Sequence, residues 1–569
     1  MKPSQEKPWL KLFSEEARAQ KLPELSIYQF LIETSKNRQK YTAINYFDRK
    51  LSYKELIYAI DKCAVSLYEL GIRKDDIVAC CSVTTPEIAI LLYALNKIGA
   101  ALYTIDPRRS VEEIKSFVNE SRAKLFFVLD VAYNHVSEIF KDLKVEKIII
   151  TNLNNYMSFI PKSLSGFSLR NHVLYNERVV NWNKFIALGK GKTVKTVSGS
   201  DFKLAAVTLT GGTTGTPKGV MLSNDGFNSI AIDFKYASVD IKPNETFMNV
   251  IPIFSSYGIV SSIHMPLILG FQILMIPKLD PDKIGKIVKK YKPGHTLLVP
   301  TYYEKMIYSK DLPSDFDLSF LTTAGSGGDT MNEELENKLN TYLKQHNCKY
   351  PLSQGYGMSE VSSAASCCCG GNFKSMSVGY PLLQNVISIF KPETCEELDY
   401  NQEGEVCITG PTIMLGYFNN KVETDKVMIK HDDGTIWVHS GDLGYMDEDG
   451  YIFIKGRIKR MITRFDGHKV FPTQLESDLS KLNNINNCAI VAIKDPNHAQ
   501  GELPYAVITL LDNSKEQETV ENIKKYIENE VEERGRPYDV KVVESFPYTT
   551  VGKVDYVELT KRIRKSLEN

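Results

Sequence analysis

At 569 residues the chain is too long for one ordinary core of about 100–200 residues, so two or more domains are expected. Hydrophobic residues make up 43% and charged residues 24%, the balance of a soluble globular enzyme, which argues against long disordered stretches. Lysine plus arginine equals aspartate plus glutamate, at 69 each, so the overall charge points to neither nucleic acid nor a membrane surface as a partner.

The first residues, MKPSQEKPWLKLFSEEARAQ, are charged and lack the apolar core and cleavage site of a secretory signal, so a cytoplasmic location is expected. From Ile77, apolar runs alternate with helical patterns: IVACCSV, PEIAILLYALNKIG, AALYTID, VEEIKSFVNESR, KLFFVLD and EKIIIT. That alternation predicts right-handed crossovers in an α/β, doubly wound, mostly parallel sheet. Residues 152–200, rich in Asn, Lys and Ser, read as an irregular insertion over the surface. After Glu245 a second series, TFMNVIPIF, FQILMIP, HTLLVP and LSFLTTAG, is separated by helical segments such as 282–291, so the large region holds two such sheets or one long one.

The uncharged run 258–277 is long enough to test as a membrane span, which needs about 20 apolar residues. Interior Ser261, Ser262, His264, Pro266 and Gln272, with Gly270 as a break, favour a buried helix followed by a strand, and no transmembrane segment is expected. Beyond Gly456 the pattern changes to a basic GRIKRMITR, a helix near 472–482, strands CAIVAI and PYAVITLL, and the helix TVENIKKYIENEVEERG. This predicts a separate small α+β domain. Of the ten cysteines, Cys367, Cys368 and Cys369 are adjacent, whereas structural zinc sites want pairs two to four residues apart. Consecutive side chains diverge, so small buried wall residues are the expectation here.

The most informative stretch is LTGGTTGTPKGVML, residues 209–222. A Walker-type phosphate loop needs Ser or Thr directly after its lysine and must open a helix. Here Lys218 is followed by Gly219, GVML reads as a strand, and a helix signal appears only at Ser223. The loop is therefore a glycine-rich turn between strands. Its glycines admit close backbone approach, and its amides, threonines and lysine offer donors to a phosphate. The alternative is a tight turn that needs glycines and happens to carry threonines.

The segment TLTGGTTGTPKGV resembles the phosphate-loop signature of the adenylate-forming superfamily, which includes acyl-CoA synthetases, nonribosomal-peptide adenylation domains and beetle luciferases. The resemblance continues in order through LSYKEL at Leu51, IPIFSSYG at Ile251, QGYGMSE at Gln354, GEVCITGPTIMLGYFN at Gly404, VHSGDLGYMDEDGYIFIKGRIKR at Val438 and TTVGKVDY at Thr549. It is closest in kind to the fatty-acyl-CoA synthetases. It implies a large N-terminal domain over 1–458 and a small mobile C-terminal domain over 459–569. The implied reaction joins a carboxylic acid to ATP as an acyl adenylate, releasing pyrophosphate, and then lets the thiol of coenzyme A displace AMP.

By the same resemblance, Thr210, Gly211, Gly212, Thr213, Thr214, Gly215 and Lys218 hold the β- and γ-phosphates. Tyr356 and Gly357 meet the adenine, Ser359 stands near the α-phosphate, and Glu360 holds Mg²⁺, a hard cation suited to oxygen ligands. Gly327, Gly328 and Asp329 wall the adenine and substrate, Asp442 binds the ribose hydroxyls, and Arg457 contacts ribose and phosphate. Lys553 carries adenylation as a mobile point charge. Lys459 is the hinge about which the small domain turns between half-reactions, and Gly467 lines the pantetheine tunnel.

Some positions depart from the pattern. Ser255 stands where a histidine is frequent, the span from Arg457 to Gly467 is one residue longer than the common form, and Arg460, Gln474 and Tyr556 replace a frequent acid, a Glu and an Arg. The stretch SSYGIVSSIHM has no acidic residue to pair with an ammonium, which disfavours amino-acid substrates. A medium- or long-chain fatty acid is the first expectation and an aryl acid the second. The competing readings are a ligase that loads an acyl carrier protein's phosphopantetheine, and a non-catalytic binding homologue; retention of Lys218, Glu360, Asp442, Arg457 and Lys553 argues against the latter.

Overall fold

Both series of apolar runs become central strands in the computed structural model, which describes residues 2–158, 173–210, 217–237, 241–368, 370–548 and 554–568. The first builds a seven-stranded sheet in the order Val179–Asn181, Lys147–Thr151, Leu125–Leu129, Ile77–Cys81, Ala101–Ile105, Leu204–Leu209 and Gly219–Ser223, parallel except for the last pair. The second builds a nine-stranded sheet whose parallel centre is Ser353–Tyr356, Thr323–Ser326, His295–Leu298, Thr246–Asn249, Gln272–Met275 and Thr42–Tyr46. The two apolar series therefore form two sheets, not one long one.

The two sheets share one core. Helix Pro86–Lys97 is buried at all 12 positions, and its run Ile88–Leu95 is apolar on every face, as burial all round requires. Its Ile88, Leu91 and Leu95 belong to the same cluster as Val78 and Leu102 of one sheet and Ile44 and Ile273 of the other. The uncharged run is a π-helix, Tyr257–His264, continued by Met265–Leu269, stopped at Gly270 with φ +87° and followed by strand Gln272–Met275. Among the described residues no helix is long and apolar enough to cross a membrane.

Of residues 152–200, where a surface insertion is expected, 159–172 lie outside the described residues, and the stretch 179–187 departs from that expectation. Strand Val179–Asn181 pairs in parallel with Lys147–Thr151 at the sheet edge, and helix Trp182–Ala187 sinks Trp182 and Phe185 into the core, where both rings meet Phe127 edge-on. A three-residue strand carries too little alternation to be read against an Asn- and Lys-rich background, and burial of two aromatics holds it in place.

An antiparallel sheet comes next: Val386–Phe390, Gly404–Thr409, Ile436–Met446 and Met428–Lys430, with Ile452–Arg457 paired to the long strand. Beyond the 3₁₀ turn Ile458–Arg460, strands Ile485–Lys494, Glu502–Leu510 and Val540–Val542 form a three-stranded sheet packed by helices Pro472–Leu479, Glu516–Glu530 and Tyr556–Glu568, a smaller α+β unit.

Asp233, on helix Asn224–Ala237, is fully buried and accepts the Gln384 N–H at 3.0 Å. Burial pushes its carboxyl up to about 8. The folded chain thus keeps a proton that the unfolded chain loses above about pH 4, and stability falls as pH rises toward 8. Asp233→Asn keeps the acceptor and removes the ionisation. Its stabilisation, read from chemical unfolding, is expected to be about 1–3 kcal/mol larger at pH 8 than at pH 5.5; an equal effect at both pH values would contradict this assignment.

Candidate functional site

The C-terminal ends of the parallel strands, the antiparallel sheet and the start of the small unit enclose a cleft of about 2450 Å³. Single small-ligand pockets run to roughly 300–1,000 Å³, so this one has room for several reactants at once. Of the positions singled out in the sequence, Thr210, Lys218, Gly327, Gly328, Asp329, Tyr356, Gly357, Ser359, Glu360, Asp442, Arg457 and Lys459 line it. Residues 211–216, with Gly211, Gly212, Thr213, Thr214 and Gly215, lie outside the described residues, as do Lys553 and Cys369.

One corner is built on an irregular strand. The ladder between Gly404–Thr409 and Ile436–Met446 pairs Cys407 with His439 and Glu405 with Leu443, so residues 440–442 bulge out of register. Gly441, at φ +71°, supplies the left-handed turn. The bulge aims Asp442 into the cleft while only 4% of its surface stays exposed. Its Oδ2 accepts the Tyr356 phenol at 2.6 Å and its Oδ1 meets Arg457 Nε at 2.8 Å, while Arg457 Nη1 donates to Ser440 O at 3.1 Å. Burial and the adjacent carboxylate push the Tyr356 phenol well above its usual range, so it stays a donor.

Opposite, the strands Leu204–Leu209 and Gly219–Ser223 are antiparallel, so the glycine-rich loop joins strand to strand as expected. Its base is closed by Thr210 N–H on Lys218 O and Lys218 N–H on Thr210 Oγ1, both 2.9 Å. The Lys218 ammonium pairs with Glu423 and lies 4.9 Å from the Tyr417 ring centre. Lys218, with Lys426, holds the Glu423 carboxyl down at about 2. Tyr417 in turn donates to Glu360 Oε1 at 2.7 Å. Glu360 and Ser359 beside it offer only oxygen to the cleft, which fits the donor preference of Mg²⁺.

The floor is backbone. Gly357 sits so close to the next turn that a Cβ there would lie 1.9 Å from Ser363 O, and Gly328 has φ +83°. Ser256 donates to Ser359 Oγ at 3.1 Å, tying the floor to the π-helix. Ser255 starts that helix, accepting Gly258 N–H at 3.0 Å, so the residue that stands in for histidine serves a turn. Cys367 and Cys368 are buried in the wall, as expected.

From the 3₁₀ turn that leads into the small unit, exposed Lys459 and half-buried Arg460 reach the cleft. Arg460 pairs with Glu476 and lies 3.6 Å over the Tyr556 ring, so two departures from the family pattern pack on each other. Gly467, φ +79°, sits in the turn between Ile462–Thr463 and Lys469–Val470 and is not among the cleft-lining residues. Sequence reading missed Tyr417 and Glu423. Both lie in or just after GYFN, which was quoted for its resemblance, yet neither announces a partner more than 50 positions away.

Residues 31–418 match the family model described as AMP-binding enzyme, and residues 474–553 match that of the AMP-binding enzyme C-terminal domain. The chain is 26% identical over 558 residues to a long-chain-fatty-acid–CoA ligase of Bacillus subtilis (strain 168), covering 96% of this chain and 97% of that one. It is 29% identical over 530 residues to 4-coumarate-CoA ligase 1 of Narcissus pseudonarcissus, covering 92% and 90%. ATP-bound MatB from Rhodopseudomonas palustris has the same fold, with TM-score 0.79 over 95% of this chain and all of that chain, at 20% identity.

The 1.9 Å clash at Gly357 yields a direct expectation. Gly357→Ala forces the floor to move and is expected to cost about 1–3 kcal/mol in chemical unfolding; a parent-like midpoint would mean that this turn is not as tight as described.

Proposed function

The chain belongs to the AMP-binding enzyme family, and from that premise we propose that it is an AMP-forming acid–thiol ligase whose acid is a medium- or long-chain fatty acid and whose thiol is coenzyme A. In the first half-reaction a carboxylate oxygen attacks the α-phosphorus of ATP, the bond to the bridging oxygen breaks, and pyrophosphate leaves. In the second, the thiolate sulfur attacks the acyl carbon, and AMP departs with the carboxylate's oxygen. Both steps bring anions together, so positioning and charge do most of the work.

The observation that carries the reading is the Asp442 corner. A buried acceptor-only carboxylate, fixed by Tyr356 and Arg457, is suited to a vicinal diol such as a ribose. Tyr356 and Gly357 would meet the base, with Gly327, Gly328 and Asp329 as its wall. Lys218, Thr210 and the loop between them, Gly211 to Gly215, would take the departing pyrophosphate. Ser359 would stand at the α-phosphate. Glu360 would hold Mg²⁺, which supplies neutralising charge to the phosphates. Lys553 would bridge the carboxylate and phosphate oxygens. A small domain over 459–569, turning about Lys459, would then withdraw Lys553 and admit the thiol past Gly467.

For the acid, Phe234, Val250, Ile251, Phe254 and Val299 give the cleft an apolar wall that suits an aliphatic chain. The fatty-acid-CoA ligase relative supports the same choice, and the 4-coumarate relative supports the aryl alternative. A carrier-protein phosphopantetheine is the alternative acceptor.

Mass spectrometry after incubation with ATP, coenzyme A and mixed carboxylic acids is expected to find fatty acyl-CoA and AMP; products confined to aryl acids would replace the fatty-acid choice. Lys553→Ala is expected to slow adenylate formation by about 10²-fold or more while leaving thioester formation from supplied acyl adenylate largely intact. Equal loss of both would contradict the two-conformation account.

A further inference from the structure

Behind the Asp442 corner lies a buried chain of ionisable groups that the reaction above does not use. Glu405 is 7% exposed, His439 5% and His431 8%. Glu405 Oε1 accepts the Gly441 N–H at 2.9 Å, inside the bulge, and Glu405 Oε2 meets His439 Nδ1 at 2.9 Å. His439 Nε2 meets His431 Nε2 at 3.0 Å. Every contact is satisfied when His439 donates from Nδ1 to the carboxylate and accepts at Nε2 the proton carried by His431. The two imidazoles thus share one proton. Trp437 stacks on His431 at 5.8 Å and Phe390 meets it edge-on at 4.8 Å, so the His431 ring is held in place.

We propose that Glu405, backed by the His439–His431 pair, is the positioning group for nucleotide binding: it fills the bulge, holds Gly441, and so sets the angle at which Asp442 meets the ribose. The inference rests on Asp442 as the ribose acceptor. A second proton on the pair would face two N–H donors at one 3.0 Å contact, push His439 off its place and loosen the bulge. Burial and His439 already hold the His431 imidazole below its ordinary value, so this happens on the acid side. The charged and titratable groups around the pair are Glu405 and Cys407 on the neighbouring strand, Asp432 and Asp433 on the His431 turn, Glu397 across from it, and Cys395 beside Cys407. The ligand atoms of Glu405, Cys407 and His439 lie within 4.8 Å of one another, so a metal centre is the rival use of the same residues.

The test is calorimetric binding of adenosine, which carries the ribose diol and no titrating phosphate, to the full chain at pH 8 and pH 5.5. The parent is expected to bind about 3- to 10-fold more weakly at pH 5.5, with no such change for 2′,3′-dideoxyadenosine. Glu405→Ala is expected to weaken adenosine at pH 8 by about 10-fold. Glu405→Gln, which keeps an acceptor for Gly441, recovers most of that and keeps the test open should Glu405→Ala fail to fold. His431→Gln, which donates one hydrogen and cannot take a second proton, flattens the pH dependence. Adenosine binding by Glu405→Ala equal to the parent's, with Asp442→Ala defective, would overturn this inference alone; parent-like binding by Asp442→Ala would overturn the ribose assignment and this inference with it. Stoichiometric zinc retained by the parent and lost in Cys407→Ser would overturn it in favour of a metal centre.

Discussion

A carboxylate that must meet a polyanionic nucleotide needs cations aimed at the meeting point, and a fold that holds cations must keep them paired until the anions arrive. At this cleft Lys218 pairs with Glu423, Arg457 with Asp442 and Arg460 with Glu476. The pairs are not equal. Lys218 and Glu423 keep 33% and 28% of their side-chain surface exposed, where water screens an ion pair, so in the proposed reaction phosphates would draw the lysine away at little cost. The Asp442 side chain is 5% exposed and the Arg457 side chain 54%, so loss of the arginine would leave a buried carboxylate with the Tyr356 phenol as its remaining named partner. In the proposed reaction Lys218 would be the cation that changes partner, while Arg457 would stay on the buried Asp442.

The same contrast explains how the fold serves the site. Parallel strands deliver backbone: the Thr323–Ser326 and Ser353–Tyr356 strands end in glycine-rich turns that leave a flat floor. Charge is delivered by the antiparallel sheet, whose out-of-register bulge aims Asp442 and whose hairpin partner supplies Arg457 directly opposite. In a regular ladder side chains alternate strictly between the two faces, and the three-residue bulge 440–442 breaks that alternation at Asp442.

Strands such as Leu125–Leu129 and Lys147–Thr151 were legible because apolar runs buried on both faces need no alternation to be seen. The strand-to-strand character of the loop after Leu209 was legible from the apolar run Gly219–Leu222 directly beyond Lys218. Asp442, Arg457, Tyr356 and Glu360 could be singled out because each sits in a motif. Their supports could not: Tyr417, Glu423, Glu405 and His439 reach their partners through sheet pairing and burial, which a linear pattern does not encode. The edge strand Val179–Asn181 was hidden for a related reason, being held by the packing of Trp182 and Phe185 rather than by its own periodicity.

The account turns on an acid-dependent attack at the α-phosphorus that is complete before any thiol takes part. Exchange of labelled pyrophosphate into ATP, with no thiol present and across a broad panel of carboxylic acids, reads that step alone. The account predicts that label enters ATP when a fatty acid is supplied and stays out when it is omitted. No exchange with any acid of the panel would contradict it and leave a protein that keeps the fold for binding.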